Sequence, residues 1–125
     1  MKVIATDGAP GAIGPYSQAI EIGGFLFTAG QVGLDPATMK LVEGGIEAQT
    51  ARVFDNLQAV LARAGLAWSD VAKTTVFLTT MGNFQAMNAI YAERFGAHRP
   101  ARSTVAVAEL PAGALVEIDL VAKTR

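Results

Sequence analysis

Few side chains in this chain are able to do chemistry. Cysteine is absent and His98 is the single histidine among 125 residues. Thiolate nucleophiles, disulfides, and zinc or iron–sulfur sites built on several such ligands are therefore excluded. His98 lies in a polar stretch between a predicted helix and a predicted strand, where a solvent-facing histidine is more common than a catalytic one. The remaining candidates are charged or phenolic side chains.

Arg102 and Glu117 are the two charged candidates. Arg102 follows Pro100 at the start of a predicted strand, where its planar guanidinium could bind a carboxylate through two hydrogen bonds. Alternatively, Arg102 forms an ion pair with an acidic side chain of the same chain and has no ligand. Glu117 lies in the most apolar predicted strand. It is either a general acid/base or a carboxylate paired with a neighbour such as Arg102. Tyr16 is either a lid on the core or a hydrogen-bond donor into a cleft.

Motifs for nucleotides, nucleic acids and membranes are missing. Gly8, Gly11 and Gly14 lack the spacing of a dinucleotide-binding loop, and no strand precedes them. Ten Lys and Arg against eleven Asp and Glu give a net charge of −1, which offers no broad basic surface to nucleic acid. No segment approaches the ~20 apolar residues of a membrane span. We therefore expect a soluble, cytoplasmic protein with neither a membrane nor nucleic acid as its partner.

The elements that must position these residues follow from apolar periodicity and from the Gly and Pro residues between periodic segments. The pattern predicts strands over 18–23, 25–29, 71–80, 103–108 and 114–122, a helix over 46–64, a second helix after Asn83 as its N-cap, and a loop over 31–40. The order is ββ-α-β-α-ββ. A chain of this length with 51% hydrophobic residues suits one α+β domain over residues 1–125.

The two faces of the predicted sheet differ in composition. Two helices can cover only one face of such a sheet. In the last strand, Val116, Ile118, Leu120 and Ala122 alternate with Leu115, Glu117, Asp119 and Val121. The first set suits a core beneath the helices, whereas the mixed apolar and acidic set suits a subunit interface that contains polar clefts. A charged fraction of 17%, against about 25% in ordinary domains, also indicates surface hidden in an oligomer.

Six blocks of the chain carry a family likeness in the same order. They are GPYSQA at 14–19, FTAGQ at 27–31, VAKTTVF at 71–77, NAIY at 88–91, PARSTV at 100–105 and LVEI at 115–118. Together they resemble the RidA (YjgF) family of enamine/imine deaminases. The resemblance implies a chorismate-mutase-like α+β domain, a mixed β-sheet with two helices packed on one face. It further implies a homotrimer with a ligand cleft at each subunit boundary.

The resemblance also implies an activity, the hydrolysis of reactive 2-imino and enamine acids such as 2-aminoacrylate to 2-keto acids and ammonia, without cofactor or metal. Arg102 matches the family arginine that holds the substrate carboxylate, and Glu117 matches the acid that positions or activates water. Further cleft positions of the family are matched by Tyr16, Gly30, Asn88 and Thr104. Ala29 replaces a serine common in the deaminase branch. This replacement removes a hydroxyl donor and is expected to alter rate or substrate preference.

Two other functions remain open from the sequence. A non-catalytic, small-carboxylate-binding or chaperone-like trimer would use the same clefts without turnover. An endoribonuclease, also attributed to the family, is disfavoured by the charge balance and by the lack of a histidine pair. The presence of both Arg102 and Glu117 favours the deaminase branch.

Overall fold

The computed structural model describes residues 1–125 as one mixed sheet with two helices. The strands are β1 Lys2–Ile4, β2 Ala19–Ile22, β3 Phe25–Thr28, β4 Gln31–Val32, β5 Val71–Leu78, β6 Ala101–Ala106 and β7 Val116–Lys123; the helices are α1 Gly45–Arg63 and α2 Phe84–Phe95. The sheet order is β1-β2-β3-β7-β5-β6, and β4 also pairs with β7. Only β5 and β6 run parallel. The predicted α+β fold is confirmed.

The core lies between the two helices and one face of this sheet. The apolar stripe of α1 is fully buried, as its spacing predicts, with Val53, Leu57 and Val60 all at 0% exposure. These side chains belong to one cluster with Val116 and Ile118 of β7. Each buried aliphatic side chain of this size stabilises the fold by roughly 1.5–3 kcal/mol. The side chains of β7 that face the helices are therefore the set that the alternation in the sequence predicts.

Two strands lie where the sequence predicted none. β1 and β4 contain three and two residues, too few for alternation to be recognised. β4 falls inside the predicted loop over 31–40, and that loop prediction is wrong at its start. Val32 pairs with Glu117 there, because β4 continues the edge of β7 beyond the end of β3. β4 thus forms a wall beside a candidate site residue.

The start of α2 differs from the predicted cap. Asn83 directly precedes the helix but its side chain makes no capping hydrogen bond. Instead, the hydroxyl of Thr80 accepts a hydrogen bond from the Gly82 amide at 3.2 Å in a short 3₁₀ turn. One apolar face of α2 is nevertheless buried through Met87, Tyr91 and Phe95.

The other face of the sheet, here called the outer face, carries Phe25, Phe27, Phe77, Val105, Glu117, Asp119 and Val121. Phe27 pairs with Val121, and Phe77 pairs with both Val105 and Glu117, so these side chains point to the same side. Phe27 and Val105 are 45% and 44% exposed. A sheet face that exposes several large apolar side chains without a covering layer is typical of an interaction surface. Neither helix is long and apolar enough to cross a membrane.

Candidate functional site

Arg102 is held on the helix side of the sheet, at the edge strand β6. Its pairing with Thr74, which is 1% exposed, sets this direction. Arg102 Nη1 donates a hydrogen bond to Asn88 Oδ1 at 2.6 Å. The guanidinium carbon lies 4.5 Å from the ring centroid of Tyr91 and 5.4 Å from that of Phe84. Stacking of this kind orients a guanidinium and stabilises its charge.

Arg102 has no acidic partner. The ion pairs of the chain join Arg52 and Arg94 to Asp55, and Arg125 to Asp70. The intramolecular ion pair that was the alternative explanation of Arg102, including a pair with Glu117, is therefore not formed. The remaining N–H groups of the Arg102 guanidinium are available to a ligand carboxylate.

The cavity beside this arginine, here called the Arg102 pocket, has a volume of about 360 Å³. Its lining residues are Asn88, Tyr91, Ala92, Arg99, Pro100 and Arg102. The Tyr91 hydroxyl is fixed by Thr74 Oγ1 at 2.7 Å. Burial raises the pKa of Tyr91 despite that hydrogen bond and the opposing charges of Arg102 and Arg99. The phenol is neutral at physiological pH and supports the guanidinium with its ring.

Glu117 lines a second cavity, here called the Glu117 cleft, with a volume of about 410 Å³. The cleft is bounded by Pro10, Ile13, Tyr16, Ala29, Gly30, Gln31, Val32, Leu34, Pro111, Ala112 and Glu117. The absence of a side chain at Gly30 allows this close approach, since a Cβ on it would lie 2.5 Å from Glu117 Oε2. The carboxylate thus rests directly against the backbone of the β3–β4 connection.

The surroundings of Glu117 disfavour its charged form. Burial raises the pKa of Glu117, and the negative charge of Asp119 raises it further. Burial also raises the pKa of Asp119, although hydrogen bonds from Thr75 oppose that shift. A carboxyl group with a raised pKa and no ion-pair partner can both accept and return a proton nearer to neutral pH than an ordinary glutamate can.

The predicted site residues form two groups on opposite faces of the sheet. Tyr16, Gly30 and Glu117 line the Glu117 cleft, whereas Asn88 and Arg102 line the Arg102 pocket. The register explains the separation, because Arg102 pairs with buried Thr74 and Glu117 pairs with Phe77 of the outer face. One copy of the chain does not bring all of them together.

Thr104 and His98 complete the sequence candidates. Thr104 lies on the Arg102 side of β6 but lines neither cavity, and its hydroxyl is buried without a partner. Buried hydroxyls normally find a hydrogen bond. His98 Nε2 lies 2.7 Å from the carbonyl oxygen of Val71, which agrees with a structural histidine.

Several residues around the two cavities were not identified from the sequence. Phe84 and Tyr91 contact Arg102, and Asp119 acts on the pKa of Glu117. A signal existed for two of them. Asn88 and Tyr91 are three residues apart on a helix and share a face, and Asp119 is two residues from Glu117 on a strand and shares its side.

Comparisons with known proteins agree on one family. The family model described as Endoribonuclease L-PSP matches residues 6–124. A RutC family protein of Synechocystis is 56% identical, covering 98% of this chain and 95% of its own length. The 2-iminobutanoate/2-iminopropanoate deaminase of mouse is 45% identical over 97% of this chain and 90% of its own. The crystal structure of E. coli TdcF with bound serine superimposes with a TM-score of 0.94 at 36% identity, covering all of both chains.

Proposed function

Since the chain belongs to the RidA family, also described as Endoribonuclease L-PSP, we propose that it hydrolyses 2-imino acids to 2-keto acids and ammonia. One observation carries the proposal: the chain presents an unpaired, oriented guanidinium in one cavity and, in another, a partly buried carboxyl group whose pKa is raised. An imine carbon is already electrophilic. Orientation by Arg102 and one proton-transfer group can therefore suffice for its hydration. Relatives named as deaminases support the same chemistry.

In this proposal Arg102 binds the substrate carboxylate. Asn88 occupies Nη1 and the rings of Tyr91 and Phe84 hold the guanidinium from the side. The arginine therefore loses little freedom when a carboxylate arrives. The solved relative with bound serine supports a small carboxylate as the ligand class.

Glu117 is the proposed acid/base. Its carboxylate accepts a proton from water while the water oxygen bonds to the imine carbon and the π electrons of the C=N bond move to nitrogen. The same carboxyl group then returns the proton to the nitrogen, which gives a neutral carbinolamine. In a second cycle Glu117 accepts the hydroxyl proton of the carbinolamine and passes it to the nitrogen; the C–N bond breaks, and ammonia leaves as the C=O bond of the keto acid forms. An enamine such as 2-aminoacrylate enters this sequence after tautomerising to its imine.

The complete site needs a second copy of the chain, because the two cavities lie on opposite faces of the sheet. We propose a homotrimer in which the outer face packs against a neighbour and the Arg102 pocket of one copy meets the Glu117 cleft of the next. The exposed Phe25, Phe27 and Val105 supply the apolar area that obligate interfaces need. A stable monomer at micromolar concentration in light scattering would contradict this assembly.

A coupled assay tests the activity. An amino-acid oxidase generates imines, and their loss is followed with and without the protein. Acceleration above buffer separates an enzyme from a non-catalytic carboxylate-binding module.

The Glu117→Gln variant tests the role of the carboxyl group. Glu117→Gln keeps the shape of the side chain but cannot accept the proton. We expect it to lower turnover more than it weakens binding of a 2-keto acid. Lost keto-acid binding with normal turnover per bound complex would instead make Glu117 a binding residue.

Mixing two inactive variants tests whether each site is shared between copies. Arg102→Ala and Glu117→Gln oligomers are unfolded together, refolded together and assayed. If each site takes Arg102 from one copy and Glu117 from a neighbour, random assembly restores about a quarter of the sites. Absence of any recovery in correctly assembled mixtures would show that both residues of a site come from one chain.

A further inference from the structure

The Arg102 pocket contains a second guanidinium that neither the sequence motifs nor the proposed reaction assigns. Arg99 lines the same cavity, three residues before Arg102. No acidic side chain lines this cavity, and neither arginine forms an ion pair. The positive charges of both arginines act on Tyr91, a residue of α2 that lines the same cavity. Two cations without counter-charges in one small cavity create a field that concentrates anions.

Arg99 is tied to its own loop rather than free in solvent. Its Nη1 donates to the carbonyl oxygen of Gly96, and also to that of His98 at 2.9 Å. The first bond lies at the C-cap of α2, and the second lies within the connection to β6. Both hydrogen bonds use Nη1 of Arg99, so the other N–H donors of its guanidinium remain available. The loop thus holds Arg99 at the rim of the pocket.

We infer that Arg99 is a second anion-binding residue, and that the chain prefers 2-imino and 2-keto acids carrying a second carboxylate at the end of the side chain. This inference rests on the proposed function only in placing the first carboxylate on Arg102. A cavity of about 360 Å³ is within the size range of small-molecule sites. The three-residue separation of the arginines spans at most about 10 Å of extended chain. Long side chains at that spacing can converge on the two ends of one four- or five-carbon diacid.

Matched ligands and variants test the inference. We would measure binding of 2-oxoglutarate and 2-oxopentanoate by calorimetry; these ligands share a carbon count and differ by one carboxylate. Because Arg99 is exposed, we expect a modest preference of the wild type for 2-oxoglutarate, about fivefold at low ionic strength. Arg99→Gln should bring that preference close to one. Salt should reduce it in the wild type, since a screened charge is the cause.

A charge-matched control and a parallel activity measurement complete the test. Lys40→Gln removes one positive charge from an exposed site outside the pocket and should leave the wild-type preference intact. In the coupled assay, the ratio of efficiencies for glutamate- and norvaline-derived imines should fall in Arg99→Gln by a factor similar to that in binding.

The outcomes separate this inference from the proposed function. Equal wild-type affinity for the two keto acids, or an equal loss of both in Arg99→Gln, overturns the role of Arg99 and leaves deamination standing. A preference that depends on Arg99, with no hydrolysis of any imine, supports the two-arginine pocket and refutes deamination.

Discussion

The two cavities of this chain prepare their charged groups in opposite ways. In the Arg102 pocket, polar and aromatic contacts surround the guanidinium and orient it before any ligand binds. In the Glu117 cleft, the carboxyl group rests against backbone and apolar walls, and its charged form is disfavoured. The first arrangement suits recognition of a fixed charge, and the second suits proton transfer. Substitutions in the two cavities should therefore change different kinetic quantities.

Removing the guanidinium should have the largest effect. Arg102→Ala deletes charge-assisted hydrogen bonds worth about 1.5–3 kcal/mol each, and we expect kcat/KM to fall roughly 100-fold if two are lost. Arg102→Lys keeps the charge without the planar fork and should give an intermediate value. Steady-state kinetics on variants of verified oligomeric state measure both. Unchanged turnover in a folded Arg102→Ala protein would remove this residue from the site.

Adding one methyl group to the opposite cavity should have the next largest effect. The Cβ of Gly30→Ala would lie 2.5 Å from Glu117 Oε2. Because the clash involves the end of a flexible side chain, we expect the carboxylate to move while the fold persists. The expected loss is about 10-fold or more in kcat, the usual contribution of a positioned acid/base being larger still.

Gly11→Ala is the matched control for that substitution. A Cβ at Gly11 has open space around it, so its kinetics and thermal unfolding should match the wild type. If Gly30→Ala is equally active, the contact between the Gly30 backbone and the carboxylate has no role in placing Glu117.

The contrast between the cavities also explains what the sequence could predict. The predictions of the long periodic elements are correct, because apolar residues recur at regular spacing along α1 and along the helix-facing side of β7. β1 and β4 were missed because pairing with a distant strand, rather than local pattern, stabilises them. Arg102 and Glu117 stood out by residue type and context. That they lie on opposite faces depends on the register of β5 with β6 and β7, which no local pattern specifies.

Changing the charge near Glu117 should shift a pH profile rather than abolish activity. The negative charge of Asp119 raises the pKa of Glu117, so Asp119→Asn should lower it. Below its pKa, Glu117 is protonated and cannot accept a proton from water. The acid limb of kcat against pH should therefore move to lower pH, with a gain of a few fold on that limb. Exposed Glu43→Gln is the control and should leave the acid limb in place. An unmoved limb in Asp119→Asn would show that the charge of Asp119 does not act on the group that controls this limb.

The smallest effect concerns the apolar wall of the Glu117 cleft. Ala29 lines this cleft together with Glu117, so Ala29→Ser adds a hydroxyl to the cavity that holds the proposed acid/base. A hydrogen-bonding site discriminates more sharply than an apolar one. A bond worth about 1 kcal/mol should therefore favour the smallest and most polar imines over leucine- or methionine-derived ones by roughly fivefold.

The measured quantity is the ratio of kcat/KM for small polar imines to kcat/KM for leucine- or methionine-derived imines, with exposed Ala37→Ser as the control. A constant ratio would mean that position 29 does not tune selectivity. The preference of this cleft would then depend on its larger apolar side chains, such as Ile13 and Leu34.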